Sequence, residues 1–417
     1  MTIRVRLLLM GVWLMAGVCI ASAQPESEQE TTDWPPVISR LRQEMYQHPG
    51  QVRARQQLAV AYNNYGVNLG TLGQWQVAAQ QLQEAMQLDG ENEQFPRNLS
   101  NVYFNQAHEA YQRHAVQEAV EALNKAIALN ADFAQAHILL GQIEYDRQRL
   151  KEAKAAWQRA VALDPTQTEL AQRLSKLNQE LPVESKFERL SQAYFDLRYE
   201  EQIAAPVGFD IRETLLEARR DVGSDFAYWP KYKIVVLIYS ADSFRALRQE
   251  TPDWVAGQFD GKIRVPLPNV RFGPEAVKQI LFHEYTHALV HDLAGGKCPV
   301  WLNEGLAEYE GRKAGPSVLS QLTIAHRGER LVPWAQLSEQ FSAATPVDDV
   351  ALGYQESYSI VHYFVKRYGF WRMRRVLEAI GKGTPWETVL TDEFRMKLPQ
   401  LEASWRRWLP EFLEPSS

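Results

Sequence analysis

The chain has 417 residues, of which 45% are hydrophobic and 23% are charged, and its formal net charge is −6 at pH 7. This composition is typical of a folded globular protein and excludes a disordered or collagen-like chain. The slightly acidic balance argues against a broad nucleic-acid-binding surface. Cys19 and Cys298 are its two cysteines, so a disulfide framework and a cysteine-rich zinc module are excluded, and any metal must be held by His and carboxylate side chains.

Residues 1–23 have the three-part layout of a secretory signal peptide. Arg4 and Arg6 precede an apolar run over 7–20, and small residues suited to cleavage follow it. An uncleaved anchor is the alternative, but the run is shorter than the roughly 20 residues that span a bilayer. We therefore predict an exported protein of the bacterial periplasm or cell surface, with no membrane segment after cleavage.

Residues 34–181, which follow a polar linker over 24–33, contain a repeated helical pattern. Three segments end in similar sequences, and their leucines, Leu88, Leu129 and Leu163, are separated by 41 and 34 residues. A period near 34 is typical of tetratricopeptide repeats. The region resembles that family and is predicted to be an all-α array.

Each repeat has small and large residues at the positions where its two helices pack together. They are Gly66, Ala78, Leu82 and Ala85 in the first unit, Ala107, Ala119, Leu123 and Ala126 in the second, and Leu140, Gly141, Ala153, Trp157 and Ala160 in the third. Extra residues around 91–97 lengthen one turn or helix, and residues 168–181 predict a polar capping helix. Such an array offers a groove for a peptide or partner protein, or serves as a spacer or self-association surface; we favour the groove.

The C-terminal half, residues 187–414, is richer in β-branched and aromatic residues. Its patterns predict, in chain order, a helix over 211–222, a buried strand over 232–239, a short helix from 240 and a strand–turn–strand over 258–267. A longer helix begins at Gly273-Pro274 and ends before Gly295.

That longer helix contains the sequence His-Glu-Tyr-Thr-His. Its spacing places His283 and His287 on one face, one turn apart, where both imidazoles can bind a single Zn²⁺ while Glu284 reaches a bound water. Catalytic zinc usually has three protein ligands and an open position. Glu304, within a Trp-Leu-Asn-Glu-Gly string on the next helix, is placed to be the third. His291, one further turn along, is interpreted as a surface or outer-shell residue.

These motifs resemble the gluzincin metallopeptidases, whose catalytic domain is called peptidase MA-like. The Trp-Leu-Asn-Glu-Gly string also resembles the third-ligand helix of aminopeptidase N-like enzymes. The resemblance implies an α+β domain that binds one Zn²⁺ through His283, His287 and Glu304. It implies that Glu284 is the general base of peptide-bond hydrolysis.

The resemblance also suggests roles for two residues outside the metal ligands. Glu308, four residues after the third ligand, is expected to orient a ligating histidine, unless it is an ordinary surface glutamate. Tyr354 aligns with the tyrosine that hydrogen-bonds the oxyanion, and Tyr358 with a packing aromatic. The alternative is that both tyrosines belong to the core and that His326 or His362 assists instead.

The sequence departs from the aminopeptidase N-like enzymes at the motif that captures a free amino terminus, which is absent. Exopeptidase action is therefore not supported, and an edge strand over 261–265 is a candidate for pairing with an extended substrate. We predict an exported zinc endopeptidase that acts on protein substrates and whose repeats bind a substrate or partner. A non-catalytic peptide-binding scaffold and an aminopeptidase with a different anchor remain the alternatives.

Overall fold

The computed structural model describes residues 32–201, 203, 205–247, 261–267, 274–313, 318–342 and 345–414. The predicted signal peptide, most of the linker and the first strand of the predicted strand–turn–strand lie outside these residues. The chain divides into two compact units, Met1–Asn178 and Gln179–Ser417. Within the ranges described, no helix combines the length and the apolar character that crossing a bilayer needs.

The N-terminal unit is an array of helices joined by short turns, as the repeat pattern predicts. The helices are α1 (Trp34–Gln47), α2 (Val52–Thr71), α3 (Trp75–Leu88), α4 (Gln94–Gln112), α5 (Val116–Leu129), α6 (Ala134–Asp146), α7 (Leu150–Leu163) and α8 (Thr168–Glu184). Within the array, neighbouring helices pack in three repeat pairs, namely α2 with α3, α4 with α5 and α6 with α7. The extra residues of the second unit lengthen its first helix, because α4 has 19 residues and α6 has 13.

The core of this array is built from the small and large residues that the repeat pattern singles out. Ala78, Ala119 and Ala153, which occupy equivalent positions in the three pairs, are all completely buried. Trp157 is 2% exposed, and its indole nitrogen donates a hydrogen bond to the carbonyl of Ile138 at 3.2 Å. Alanine at the helix contacts allows close approach, while the larger side chains fill the remaining space.

Replacing Gly141 by Ala should destabilise the third repeat. A Cβ at this position would lie 2.2 Å from Cδ1 of Trp157, so the buried indole must shift. We expect the free energy of unfolding to fall by about 1–3 kcal/mol, the usual cost of overpacking. Urea denaturation followed by circular dichroism measures it. Gly50→Ala is the matched control, because its Cβ would meet nothing within 4 Å, and an equal loss in both variants would contradict the packing argument.

The capping helix is longer than the sequence predicts. The sequence pattern predicts this helix over 168–181, but α8 continues to Glu184. The boundary between the two units falls within α8. Its last residues belong to the C-terminal unit, where Glu184 accepts a hydrogen bond from the hydroxyl of Tyr239 at 2.6 Å. Arg264 pairs with Glu180 at 3.1 Å. These buried partners explain why a polar segment does not end where its sequence pattern weakens.

The C-terminal unit combines a small sheet with packed helices. Its elements are β1 (Glu188–Ser191), β2 (Phe195–Tyr199), α9 (Ala205–Phe226), β3 (Ile234–Ser240), α10 (Ala241–Leu247), β4 (Lys262–Leu267), α11 (Pro274–Ala294), α12 (Val300–Lys313), α13 (Ser320–Arg327), a 3₁₀ helix (Trp334–Phe341), α14 (Val347–Tyr368), α15 (Trp371–Gly381), α16 (Trp386–Phe394) and α17 (Leu398–Leu413). The predicted fold class, an all-α repeat array followed by an α+β domain, is confirmed.

The sheet has the strand order β1-β2-β3-β4 over the described residues. β1 pairs antiparallel with β2, while β2, β3 and β4 run parallel. Strand β3, predicted over 232–239, is buried on both faces, which explains its continuous apolar sequence. Val236 and Ile238 face the main core, and Leu237 and Tyr239 contribute to a smaller cluster on the other side.

The helix that carries the His-Glu-Tyr-Thr-His motif lies at the centre of this unit. α11 spans Pro274–Ala294, as its boundary signals predict, and packs against α9, α12, α15 and β4. Asp292 near its end accepts hydrogen bonds from the hydroxyls of Tyr228 at 2.9 Å and Tyr232 at 2.7 Å. These contacts fix α11 on the core and therefore fix the direction of its functional face.

Candidate metal centre

Two buried glycines bring α12 into close contact with the helices on either side of it. A Cβ on Gly311 would lie 3.1 Å from the carbonyl oxygen of Gln279 and 3.4 Å from Cβ of His283, both on α11. A Cβ on Gly305 would lie 2.6 Å from the carbonyl oxygen of Ser357 on α14. The absence of side chains at these two positions lets three helix backbones approach, which brings Glu304 towards the two histidines.

The predicted metal ligands meet at one point between α11 and α12. Nε2 of His283 and Nε2 of His287 are 3.1 Å apart. Oε2 of Glu304 is 3.5 Å from the first nitrogen and 3.6 Å from the second. Atoms of His283, Glu284 and His287 also lie within 4.8 Å of one another. The structure therefore brings together all four residues of the predicted centre.

The Glu304 carboxylate provides a test of whether these residues fit a metal ion. Its side chain is 5% exposed, and among the described residues Oε2 has no hydrogen-bond partner. A buried carboxylate oxygen without a partner is costly, and a cation at the site removes that cost. Tetrahedral zinc, with ligands at about 2.0–2.2 Å, holds its donor atoms about 3.3–3.6 Å apart. The three donor distances are close to that range, so the residues fit a zinc ion.

Both histidines are oriented through their other ring nitrogen. Nδ1 of His287 is 3.0 Å from Oδ1 of Asn303, and Nδ1 of His283 is 3.3 Å from Oε1 of Glu308. Acceptors at Nδ1 favour the tautomer that leaves Nε2 free to ligate a metal. The sequence pattern does not predict this role of Asn303. The one available indication is that Asn303 directly precedes Glu304, so its side-chain oxygen lies close to the ligand set.

The electrostatics of the site favour a positive charge between the carboxylates. Burial of His283 opposes its protonation, but the carboxylates of Glu304 and Glu308 outweigh burial and raise the pKa of His283 well above its usual value. Burial also opposes ionisation of Glu308, yet His283 and Arg312 outweigh it and lower the pKa of that carboxyl. The donor set therefore attracts a cation, either a proton or a metal ion.

A cavity of about 350 Å³ opens beside the centre. Among the described residues, eight line it, namely Gln279, Ile280, His283, Glu284, Glu308, Gly311, Arg312 and Tyr354. Glu284 and Tyr354 thus face the same space as one of the proposed ligands, although they lie on α11 and α14. An extended substrate reaching this cavity would meet an acid and a phenol next to the donor set.

The remaining candidates lie outside the cavity lining. The hydroxyl of Tyr358 is 3.4 Å from Nδ1 of His362, and the His362 ring packs against both Trp408 and Phe412. His326 is on α13 and is not part of the lining. Among these alternatives, the position of Tyr354 is the one that suits a substrate contact.

His291, interpreted from the sequence as a surface or outer-shell residue, and Cys298 are not among the residues that converge at the donor set. His291 has a side chain that is 46% exposed, and its Nδ1 lies 3.9 Å from Asp292. Cys298 is a free cysteine packed against the main core, and burial, with a smaller contribution from Glu304, raises the pKa of its thiol far above the usual value. A protonated, partly buried thiol is a poor nucleophile and a poor metal ligand.

Comparison with known proteins identifies both parts of the chain. A Peptidase MA superfamily model matches residues 262–411, and a tetratricopeptide repeat model matches residues 134–167. Residues 262–411 therefore resemble the Peptidase MA superfamily and residues 134–167 resemble a tetratricopeptide repeat, so the predicted resemblance is confirmed. The matched regions contain the proposed metal centre and the third repeat, respectively.

Solved structures of repeat proteins also resemble part of the chain. The first TPR of Spaghetti (RPAP3), bound to an HSP90 peptide, is 26% identical and is matched over 30% of this chain and 95% of its own length, with a TM-score of 0.23. MamA is 19% identical and is matched over 36% of this chain and 80% of its own length, with a TM-score of 0.22. No curated protein sequence matches the chain.

Proposed function

We propose that the protein is a zinc-dependent peptidase that hydrolyses peptide bonds of protein substrates. The observation that carries the proposal is the buried Oε2 of Glu304, which has no hydrogen-bond partner among the described residues and faces Nε2 of both His283 and His287 at 3.5 and 3.6 Å. His283, His287 and Glu304 would hold the ion. When bound, it supplies a water of lowered pKa and a Lewis acid for the scissile carbonyl.

Four other residues of the site would carry out the rest of the chemistry. Glu284 accepts the proton of the attacking water and delivers it to the leaving nitrogen. Tyr354 donates a hydrogen bond to the oxygen that develops negative charge. Asn303 and Glu308 hold the two imidazoles in place throughout. Each of these steps uses a group placed within one contiguous site.

Endopeptidase action is the form of hydrolysis that we propose. β4 is an edge strand of the sheet over the described residues, and it packs against α11. An edge strand offers backbone groups that pair with an extended peptide. The absent amino-terminus-binding motif supports the same choice. Comparing cleavage of amino-terminally blocked and free peptides distinguishes this proposal from an aminopeptidase.

Two further parts of the proposal concern the repeats and the predicted signal peptide. We propose that the tetratricopeptide array binds the protein substrate or a partner protein, since such arrays present extended concave surfaces. We propose export to a bacterial periplasm or to the cell surface, supported by the layout of residues 1–23. Detection of the mature chain in a periplasmic extract, beginning at Gln24, tests the latter.

Removal of metal should abolish cleavage reversibly. We expect the purified chain to hold one zinc ion, to lose cleavage of an unfolded protein substrate after treatment with a chelator, and to regain it with zinc. Elemental analysis and a gel-based cleavage assay measure the two quantities. Full cleavage by a zinc-free chain would contradict the proposed mechanism.

Replacing Tyr354 by Phe should lower kcat by about 100-fold, because one hydrogen bond to the oxyanion is lost. Zinc content should not change, since Tyr354 is not a proposed ligand. Tyr358→Phe is the matched control, because that hydroxyl lies on the same helix but does not line the cavity. If Tyr358→Phe were the more damaging substitution, the assignment of the oxyanion donor would be wrong.

A further inference from the structure

Arg312 is a mostly buried cation of the cavity wall that the proposed chemistry does not use. Its side chain is 13% exposed, and it lies on α12, four residues after Glu308. Its Nε donates to Oε2 of Glu308 at 2.9 Å, and its Nη2 approaches the same oxygen at 2.7 Å. Two donors on one carboxylate oxygen form a strong, charge-assisted interaction.

The other oxygen of Glu308 faces the centre. Oε1 lies 3.3 Å from Nδ1 of His283. Because Arg312 binds Oε2, the carboxylate is held in the rotation that directs Oε1 at the imidazole. The guanidinium is itself placed over the ring of Tyr358, with its central carbon 4.7 Å from the ring centroid. A series of contacts therefore connects the ring of Tyr358 on α14, through Arg312 and Glu308, to the proposed ligand His283 on α11.

We propose that Arg312 is a positioning residue for the metal centre, acting on His283 through Glu308. It fixes the carboxylate that fixes the imidazole, so it keeps Nε2 of His283 directed at the ion. The inference rests on the proposed zinc site. It assigns to Arg312 a function that a purely structural ion pair would not have, namely control of metal affinity.

The chain offers a matched ion pair that lies away from the centre. Arg406 also follows its partner by four residues on a helix, and its Nε and Nη2 donate to Oε1 of Glu402 at 3.1 and 2.8 Å. This pair has the same sequence spacing and the same two donors on one oxygen. Arg406→Met therefore measures the general cost of losing such a pair.

The test is the zinc affinity of the purified full-length chain, measured by competition with a chromophoric chelator. We expect Arg312→Met to weaken zinc binding by about tenfold, at the lower end of the effect of outer-shell partners. Arg312→Lys should lose less zinc affinity, because an ammonium group keeps the positive charge although it lacks the two fixed N–H donors of the guanidinium. Arg406→Met should bind zinc as the wild type does. Circular dichroism verifies that each variant is folded.

A double-mutant cycle with Glu308→Gln separates positioning from a general structural role. If Arg312 acts through Glu308, then Arg312→Met should have little further effect on zinc affinity in the Glu308→Gln background. A full additive loss in that background, or equal affinities for Arg312→Met and Arg406→Met, would overturn the inference while leaving the zinc site intact. Should Arg312→Met fail to fold, Arg312→Lys completes the same cycle. A wild-type chain that binds no zinc would overturn the metal centre and this inference together.

Discussion

The Glu284→Gln variant should retain its zinc and cleave unfolded protein about 10²–10⁴-fold more slowly than the wild type. This is the usual contribution of a positioned general base. Glu284 lines the cavity next to His283, and the amide that replaces its carboxylate has a similar volume but cannot take up the proton of the attacking water. The structure of α11 should therefore be preserved while the chemical step is lost. Measuring kcat and zinc per chain on the same preparation checks both parts.

Glu275→Gln is the control for that experiment. Glu275 lies in the first turn of the same helix and is exposed, so this substitution changes one charge without reaching the cavity. We expect wild-type cleavage from it. Residual cleavage by Glu284→Gln that equals the wild-type rate would exclude Glu284 as the base. Loss of zinc from that variant would instead mean that Glu284 helps to hold the ion.

The Glu304→Gln variant should lose zinc affinity by more than the roughly 10–100-fold that outer-shell substitutions cost. Glu304 provides the charged oxygen of the proposed set, and a neutral amide is a weaker zinc ligand. The wild type should also gain thermal stability when zinc is added, because an ion that binds the native state stabilises it by mass action. The variant should gain much less. Chelator competition and thermal unfolding with and without zinc measure these two effects.

A second expectation for Glu304 concerns the chain without metal. In that state the Glu304 carboxylate helps to raise the pKa of His283, so Glu304→Gln should lower that pKa and should reduce stability at pH values where the wild-type imidazole is protonated. An unchanged pH dependence of stability in the metal-free variant would contradict this interaction. Zinc binding equal to that of the wild type would remove Glu304 from the ligand set.

The repeat array could be predicted largely from local sequence. The spacing of Gly141 and Trp157 within one unit indicates two helices in contact, and the structure places a glycine where an indole leaves no space for a Cβ. The spacing predicts extra residues around 91–97 but does not distinguish a longer turn from a longer helix, and the structure shows that α4 is longer than α6. The end of α8 could not be predicted, since Glu180 and Glu184 are buried by partners that are distant in sequence.

In the candidate site, too, the features set by local sequence could be predicted, whereas those set by packing between distant segments could not. The spacing of His283 and His287 lies within one helix, so their convergence follows from helical geometry alone. The position of Glu304 depends on how α12 packs, which two glycines determine through contacts with α11 and α14. The sequence contains those glycines, but it does not show which backbone each one meets.

Arg312 illustrates what sequence spacing does not show. Its distance of four residues from Glu308 predicts an ion pair on a helix, and many such pairs are solvated and weak. Only the packing of α12 shows that this pair is largely shielded from solvent, with side chains 13% and 21% exposed, and that the second oxygen of Glu308 faces His283. The roles of the site residues themselves stay predictions that the experiments above address.

X-ray absorption at the zinc K-edge of the purified wild-type chain tests the proposed metal centre most directly. We predict one zinc ion per chain, with nitrogen and oxygen ligands at about 2.0–2.2 Å and the outer scattering of two imidazoles. The spectrum should be unchanged in a Cys298→Ser variant, because this thiol is not a proposed ligand. Absence of zinc, or a sulfur ligand at about 2.3 Å, would contradict a centre formed by His283, His287 and Glu304.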